Sequence, residues 1–307
     1  MILCICPNPS IDSYAYFKEF EIGSVNRMEK IKPYPGGKAT HVALALAEMG
    51  KKVTLFGFWG GTTGQWIKKE CEKRGIQVEG VELSENNRQC YTFRSNDASV
   101  ANTEILEPGP TVSPEDWESF TIKLQELVGQ SEMVNLSGSW PKGVPGNASQ
   151  IVAQSCKGLN KKLMLDGTGI QLKNALRSGF YGLHINEHEA KDLFGTEDAE
   201  KVQKDLKDSV QLLALTKGKK GLYLADGTEV VHALKPLEKV ISTVGSGDCL
   251  TAGILYALSE NMSLEQVARY GAAFGAANCV NDDLGMLKHK DVMDFLPSTE
   301  TKLLCHG

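Results

Sequence analysis

The run Thr243-Val244-Gly245-Ser246-Gly247-Asp248 holds residue types that phosphoryl transfer needs. Two glycines around a serine let backbone N–H groups converge with no Cβ atoms in the way. The small and apolar residues from Cys249 to Leu258 predict a helix whose positive N-terminal end adds to the same point. An anion fits there. A carboxylate at the mouth of such a nest would repel phosphate unless it acts there, and an aspartate beside a reacting hydroxyl can accept its proton. Asp248 is therefore the candidate base, with Gly245, Ser246 and Gly247 as the anion-stabilising turn. A plain helix start with an acid in its first turn is the alternative, and the rest of the chain decides between them.

With 307 residues the chain can form one large α/β core or two modest ones, and a 41% hydrophobic content is ordinary for a globular protein. Lys and Arg number 33 against 38 Asp and Glu, so the net charge of −5 offers no field for nucleic acid or an anionic membrane, and neither is expected as a partner. The eight cysteines are scattered, with no C-x-x-C and no cysteine–histidine zinc spacing; Cys4, Cys6, Cys249 and Cys279 sit among apolar residues and read as small packed hydrophobes, which fits a reducing cytoplasm. Met1 to Cys6 is too short for a secretion signal, and no apolar run approaches the roughly 20 residues of a spanning helix. A cytoplasmic protein is expected.

These residues need a scaffold, and the pattern alternates strand with helix. Strands are predicted at Ile2–Cys6, Lys52–Phe58, Met133–Leu136, Leu163–Leu165, Gly182–Ile185, Gln211–Thr216 and Gly221–Ala225. Helices are predicted at Ala39–Met49, Trp66–Arg74, Trp117–Val128, Asn147–Lys157, Glu187–Phe194, Ala199–Lys207, Asp248–Ser259 and Leu264–Val280. The alternation predicts an α/β fold with a mainly parallel sheet covered on both faces. Residues 13–33 and 89–107 break the rhythm. Rich in β-branched and aromatic residues, they predict a small separate sheet, inserted as a lid over one end of a single domain spanning 1–307.

Several strings, in order along nearly the whole chain, carry a family resemblance. They are Asn8-Pro9-Ser10-Ile11-Asp12, Gly23-Ser24-Val25-Asn26-Arg27, Pro35-Gly36-Gly37-Lys38, the stretches 103–110 and 137–145, and the 245–248 turn. Together they resemble the phosphofructokinase B carbohydrate kinases, and within them the branch of 1-phosphofructokinase and tagatose-6-phosphate kinase. The resemblance implies a ribokinase-like three-layer α/β/α sandwich with a β-sheet lid. It also implies transfer of the γ-phosphoryl of ATP, with magnesium, to a hydroxyl of a ketohexose phosphate, with a monovalent cation as a further candidate ion.

The strings then acquire expected roles. Asp12 would accept two sugar hydroxyls, or cap its own turn. Gly36 and Gly37 would let backbone approach the sugar, and Ser139 would contact it. Lys38, Arg88 and Arg27 would meet the phosphate already on the acceptor, unless they are solvated surface charges. Asn186 and Glu189, in an N-x-x-E string, would orient magnesium and phosphates through water, Glu189 as the metal residue or else as a helix-terminus acid. Thr216, Gly218 and Gly221 would lie beside the nucleotide, as would Asn278, on a helix of small residues that core packing alone could also explain. Open lid edges suggest a homodimer.

Two departures stand out. The branch usually reads G-G-K-G-x-N-V where this chain has Gly36-Gly37-Lys38-Ala39-Thr40-His41-Val42, so His41 replaces a sugar-contacting asparagine or else is a structural histidine. Likewise His184-Ile185-Asn186 stands where many relatives carry K-P-N, and Ser246 takes the place of a commoner alanine.

Overall fold

The computed structural model describes residues 1–97 and 99–306. Its strands are β1 (Ile2–Cys6), β2 (Ser10–Tyr16), β3 (Lys30–Gly36), β4 (Val53–Gly60), β5 (Gln77–Leu83), β6 (Arg88–Arg94), β7 (Glu104–Leu106), β8 (Met133–Ser137), β9 (Lys162–Asp166), β10 (Phe180–Asn186), β11 (Val210–Thr216), β12 (Leu222–Ala225), β13 (Glu229–Leu234) and β14 (Glu300–His306). Its helices are α1 (Lys38–Glu48), α2 (Gly61–Glu72), α3 (Pro114–Gln130), α4 (Ala148–Gly158), α5 (Gly169–Leu176), α6 (Glu187–Phe194), α7 (Ala199–Leu206), α8 (Ser246–Ser259), α9 (Leu264–Cys279) and α10 (His289–Phe295).

A ten-stranded sheet runs in the order β14-β13-β12-β11-β10-β9-β8-β1-β4-β5. From β11 to β5 every pairing is parallel, while β12, β13 and β14 add on antiparallel. Alternation along each strand splits the core in two. On β1, Ile2, Cys4 and Cys6 pack with α1, α2, α8, α9 and α10, while Leu3 and Ile5 face the layer of α3 to α7. Three layers follow from strands whose faces are both apolar.

Local chemistry sets the element ends. Ser113 caps α3, with Pro114 at its first position and the Ser113 N–H donating in return to the Asp116 carboxylate, and Asn186 with Glu189 forms the same reciprocal box on α6. The α2 helix starts earlier than its apolar pattern, at Gly61-Thr62-Thr63-Gly64, because poor helix formers hide a start that Asn86 stabilises by accepting from the Thr62 N–H. Strand β5, helices α5 and α10, and the β13–β14 pair are additions to the predicted elements.

The second sheet, β3-β2-β6-β7, is the lid. Its strands start earlier than the predicted segments, at Ser10 and Arg88, and residues 17–29 form a connection between β2 and β3. Asp12 pairs with Cys90 and Cys90 with Leu106, and this row faces the main sheet's end. The lid is tied to the body by Tyr34 Oη donating to Asp283 Oδ1 (2.9 Å) and Tyr14 Oη donating to Ser242 Oγ (2.9 Å). Arg94 adds a bond to the Ile241 carbonyl (3.2 Å). Among the described residues no helix is long and apolar enough to cross a membrane, and Cys4, Cys6, Cys71, Cys90, Cys156, Cys249 and Cys279 are free thiols.

Candidate active site

Between lid and sheet lies a cavity of about 1560 Å³. Single small-ligand sites occupy roughly 300–1,000 Å³, so this space suits two substrates side by side. The carboxyl ends of β1, β8, β9, β10 and β11 bring Cys6, Ser137, Asp166, Asn186 and Thr216 to its wall, where ligands of parallel α/β sheets bind.

Gly245, with φ of 82°, caps α8 and has no side chain to occupy the helix end. A Cβ there would also stand 2.5 Å from Gly285 Cα, so two backbone segments meet with no room between them. The Ser246 N–H is spent on the Thr243 carbonyl (3.1 Å), which tightens the turn. The N–H groups of Gly247 and Asp248 make no hydrogen bond among the described residues and open to the cavity with the helix dipole behind them. Of the Gly245 to Gly247 turn, the Gly245 N–H is likewise without a hydrogen bond among the described residues, so Ser246 is the one whose N–H is taken.

Asp248 is 7% exposed, and its Oδ2 lies 2.9 Å from His41 Nδ1. On the other side of the ring, Nε2 stands 3.4 Å from Asp12 Oδ2, close enough for charge attraction but outside good hydrogen-bond geometry. Burial alone would lower the imidazole's pKa, but the two carboxylates outweigh it and lift the value to about 10. Burial would likewise raise Asp12; its contact with His41 and bonds from Ser10 Oγ (2.6 Å) and the Gly37 N–H (3.3 Å) hold it below the ordinary carboxylate range.

A second ionic cluster lies alongside. Lys38 Nζ donates to Asp166 Oδ1 at 2.7 Å, and His184 Nδ1 lies 3.0 Å from Asp166 Oδ2. Burial would raise Asp166, but the charge of Lys38 and the contact with His184 keep it well below the usual range. For Lys38, burial pulls down and the charges of Asp166, Asp248 and Glu189 more than offset it, so the ammonium persists. Arg88 differs. Its Nε donates to the Asn8 carbonyl (3.1 Å), while its two terminal nitrogens make no hydrogen bond among the described residues.

At the start of α6, Asn186 Oδ1 accepts from the His188 and Glu189 N–H groups, and Glu189 Oε2 accepts from the Asn186 N–H. One carboxylate oxygen of Glu189 is thus left for water or metal. That suits magnesium, which keeps waters and takes few protein ligands, better than an all-protein cage, and no such cage exists among the described residues.

Asp248, Gly245, Ser246, Gly247, Asp12, Gly37, Lys38, His41, Arg88, Ser139, Asn186, Glu189, Thr216, Gly218 and Gly221 all line the one cavity. Three candidates do not. Gly36 lies behind Asp12, Arg27 is exposed on the 17–29 connection, and Asn278 is buried with its Nδ2 on the Met286 carbonyl (2.9 Å). Sequence reasoning passed over Asp166, although an acid between a strand and Gly167-Thr168-Gly169 was a signal for it.

A phosphate nest holding a carboxylate, under a lid at the carboxyl edge of a doubly covered sheet, defines a kinase of small hydroxyl compounds. The chain matches the family described as "pfkB family carbohydrate kinase" over residues 7–284 and belongs to it. It is 29% identical to the 1-phosphofructokinase of Bacillus subtilis, over 99% of this chain and 100% of that one. It is 28% identical to a tagatose-6-phosphate kinase of Staphylococcus epidermidis, over 93% and 94%. Phosphofructokinase-2 from Escherichia coli, in complex with potassium, shares the fold with a TM-score of 0.89 at 23% identity, covering 97% of this chain and 98% of that one.

Proposed function

We propose that this protein is an ATP-dependent kinase of a ketohexose phosphate: fructose 1-phosphate, tagatose 6-phosphate or fructose 6-phosphate. The observation that carries the reading is Arg88, a cation in the acceptor half of the cavity whose terminal nitrogens no carboxylate occupies among the described residues. A kinase of free sugars has no need of it. Asp12 would orient the acceptor's hydroxyls with Ser139 nearby, and Asp248 would take the proton of the attacking one. The N–H groups of Gly247 and Asp248 would meet the charge on the transferring phosphoryl.

Lys38, bonded to Asp166 and acted on by Asp248 and Glu189, belongs by this reading to the transfer position rather than to the acceptor's own phosphate. Arg27 and Gly36 keep outer roles, Arg27 reaching the site only by movement of its connection and Gly36 by making room for Asp12. Thr216, Gly218 and Gly221 would border the nucleotide. Magnesium, held by Glu189 and Asn186 through water, would offset the phosphate charge. Asn278 Oδ1, buried without a partner, is a feature a monovalent cation could satisfy, and it replaces a direct nucleotide role for that residue.

We extend the proposal to a homodimer in a cytoplasmic setting. Ile31 and Ile105 lie on the lid face turned from the cavity, about half exposed. A monomer mass in light scattering at micromolar concentration would remove the dimer.

The test is ADP release with magnesium-ATP, in potassium and in sodium buffers, across fructose 1-phosphate, fructose 6-phosphate, tagatose 6-phosphate, fructose, ribose and adenosine. Turnover confined to phosphorylated ketohexoses, with the KM for that substrate raised by Arg88→Ala, supports the reading. Turnover of free sugars or nucleosides alone overturns it, and silence throughout points to a binding protein.

A further inference from the structure

One imidazole joins three elements: Asp12 on lid strand β2, His41 on α1 and Asp248 on α8. The ring is 4% exposed, and the Gly285 backbone closes its side so tightly that a Cβ there would stand 2.3 Å from His41 Cδ2. It cannot swing away. We infer that His41 is a positioning residue that, as an imidazolium, holds Asp12 and Asp248 ionised together, coupling acceptor recognition to the catalytic base. The inference rests on the assignment of Asp248 as that base.

Two buried carboxylates sharing a site repel, and one of them ordinarily takes up a proton. A cation between them removes the conflict. His41 engages Asp248 Oδ2, whereas Asp248 Oδ1 makes no hydrogen bond among the described residues and is left for the acceptor. As the acceptor oxygen bonds to phosphorus and the bond from phosphorus to the departing ADP oxygen breaks, the hydroxyl proton passes to Oδ1. His41, already doubly protonated, does not receive it and remains the countercharge. The raised imidazole pKa agrees with this arrangement.

The other charged groups nearby do not replace it. Lys38, on the same helix, is bonded to Asp166, and Arg88 of β6 donates through Nε to the Asn8 carbonyl. Glu104 of β7 is pushed up by burial and by Asp12, and the Cys6 thiol of β1 is kept neutral by burial.

The experiment compares pH profiles of kcat/KM for the wild type, His41→Gln and His41→Asn with the acceptor that the substrate panel identifies, together with the proton NMR of the wild-type imidazole. The expected result is an acid limb moved up by about 1–3 pH units in both variants, a lowered kcat and an unchanged KM for ATP. A low-field Nδ1 proton should be present in the wild type at pH 8 and lost in Asp248→Asn. An unmoved acid limb in folded variants overturns the role of His41, as does an imidazole found neutral at pH 8, and the NMR decides if the variants fail to fold. Asp248→Asn retaining turnover overturns the base assignment itself, whatever His41 does. An inactive Asp248→Asn with an unmoved acid limb overturns His41 alone.

Discussion

Gly36→Ala is the sharpest single-atom-group test of the acceptor half. Gly36 ends β3 with its backbone outside the left-handed region, so alanine can adopt that conformation without strain. The new Cβ, however, would stand 2.1 Å from Asp12 Cγ and 2.2 Å from its Oδ2, where ordinary contact begins near 3.4 Å. The Asp12 carboxylate has to move by more than about 1 Å, and misplacing a catalytic or binding group by that distance costs on the order of 10²-fold. It is a short side chain bonded to Ser10 and the Gly37 N–H, so it cannot give way by a cheap rotation. Steady-state kinetics should therefore show kcat/KM for the acceptor falling by about 10²-fold. ATP affinity by calorimetry should hold, because the new Cβ meets Asp12 and none of the residues assigned to the nucleotide. Unchanged acceptor kcat/KM in a folded Gly36→Ala protein would refute the claim that Asp12 receives the acceptor in the position seen.

Gly245→Ala combines a left-handed φ of 82° with a Cβ 2.5 Å from Gly285 Cα, so it should destabilise the fold by about 1–3 kcal/mol, read as a shifted urea midpoint, and slow transfer by disturbing the nest. A wild-type midpoint would count against the backbone contact. Thermal stability should also follow the His41 pairing. The imidazolium's contribution is full below 6.5 and lost as pH rises through about 10, while Asp12 contributes above its ordinary 3.8 and loses that as pH falls. Calorimetric Tm should thus stay level over roughly pH 5 to 6.5 and fall from there to about pH 10, a fall absent in His41→Gln.

Much of the fold was legible because its signals are local. Strand β1 is a bare apolar run, and α6 starts and ends as predicted, at Glu187 and Phe194, because Asn186 and Glu189 form a capping box and Gly195 provides the left-handed end. Helix α5 gave no such signal. It is short and starts at a glycine, with no side-chain cap at Thr168, so its helicity comes from packing Leu172 and Ala175 against α4 and the sheet. The antiparallel β13 and β14 pair residues some 70 apart, such as Leu234 with Glu300, a partnership that periodicity within either segment cannot reveal.

In the candidate site, the residue types were legible and their couplings were not. Glycines at 245 and 247 before Asp248 announce an anion nest, yet only the fold shows which N–H groups remain open once Thr243 has taken that of Ser246. Lys38 and Arg88 look alike as cations in a string, and what separates them is a carboxylate 128 residues downstream of Lys38 that neutralises it and has no counterpart beside Arg88 among the described residues. His41 carries the same lesson further. In the sequence it is a substitution of uncertain sense, half specificity residue and half filler. In three dimensions Gly285 pins it against two acids that sit 236 residues apart, so its consequence for chemistry depends on charge rather than on size. A position where asparagine would only share hydrogen bonds has become one where a proton count matters, and the site's pH response follows from that proton.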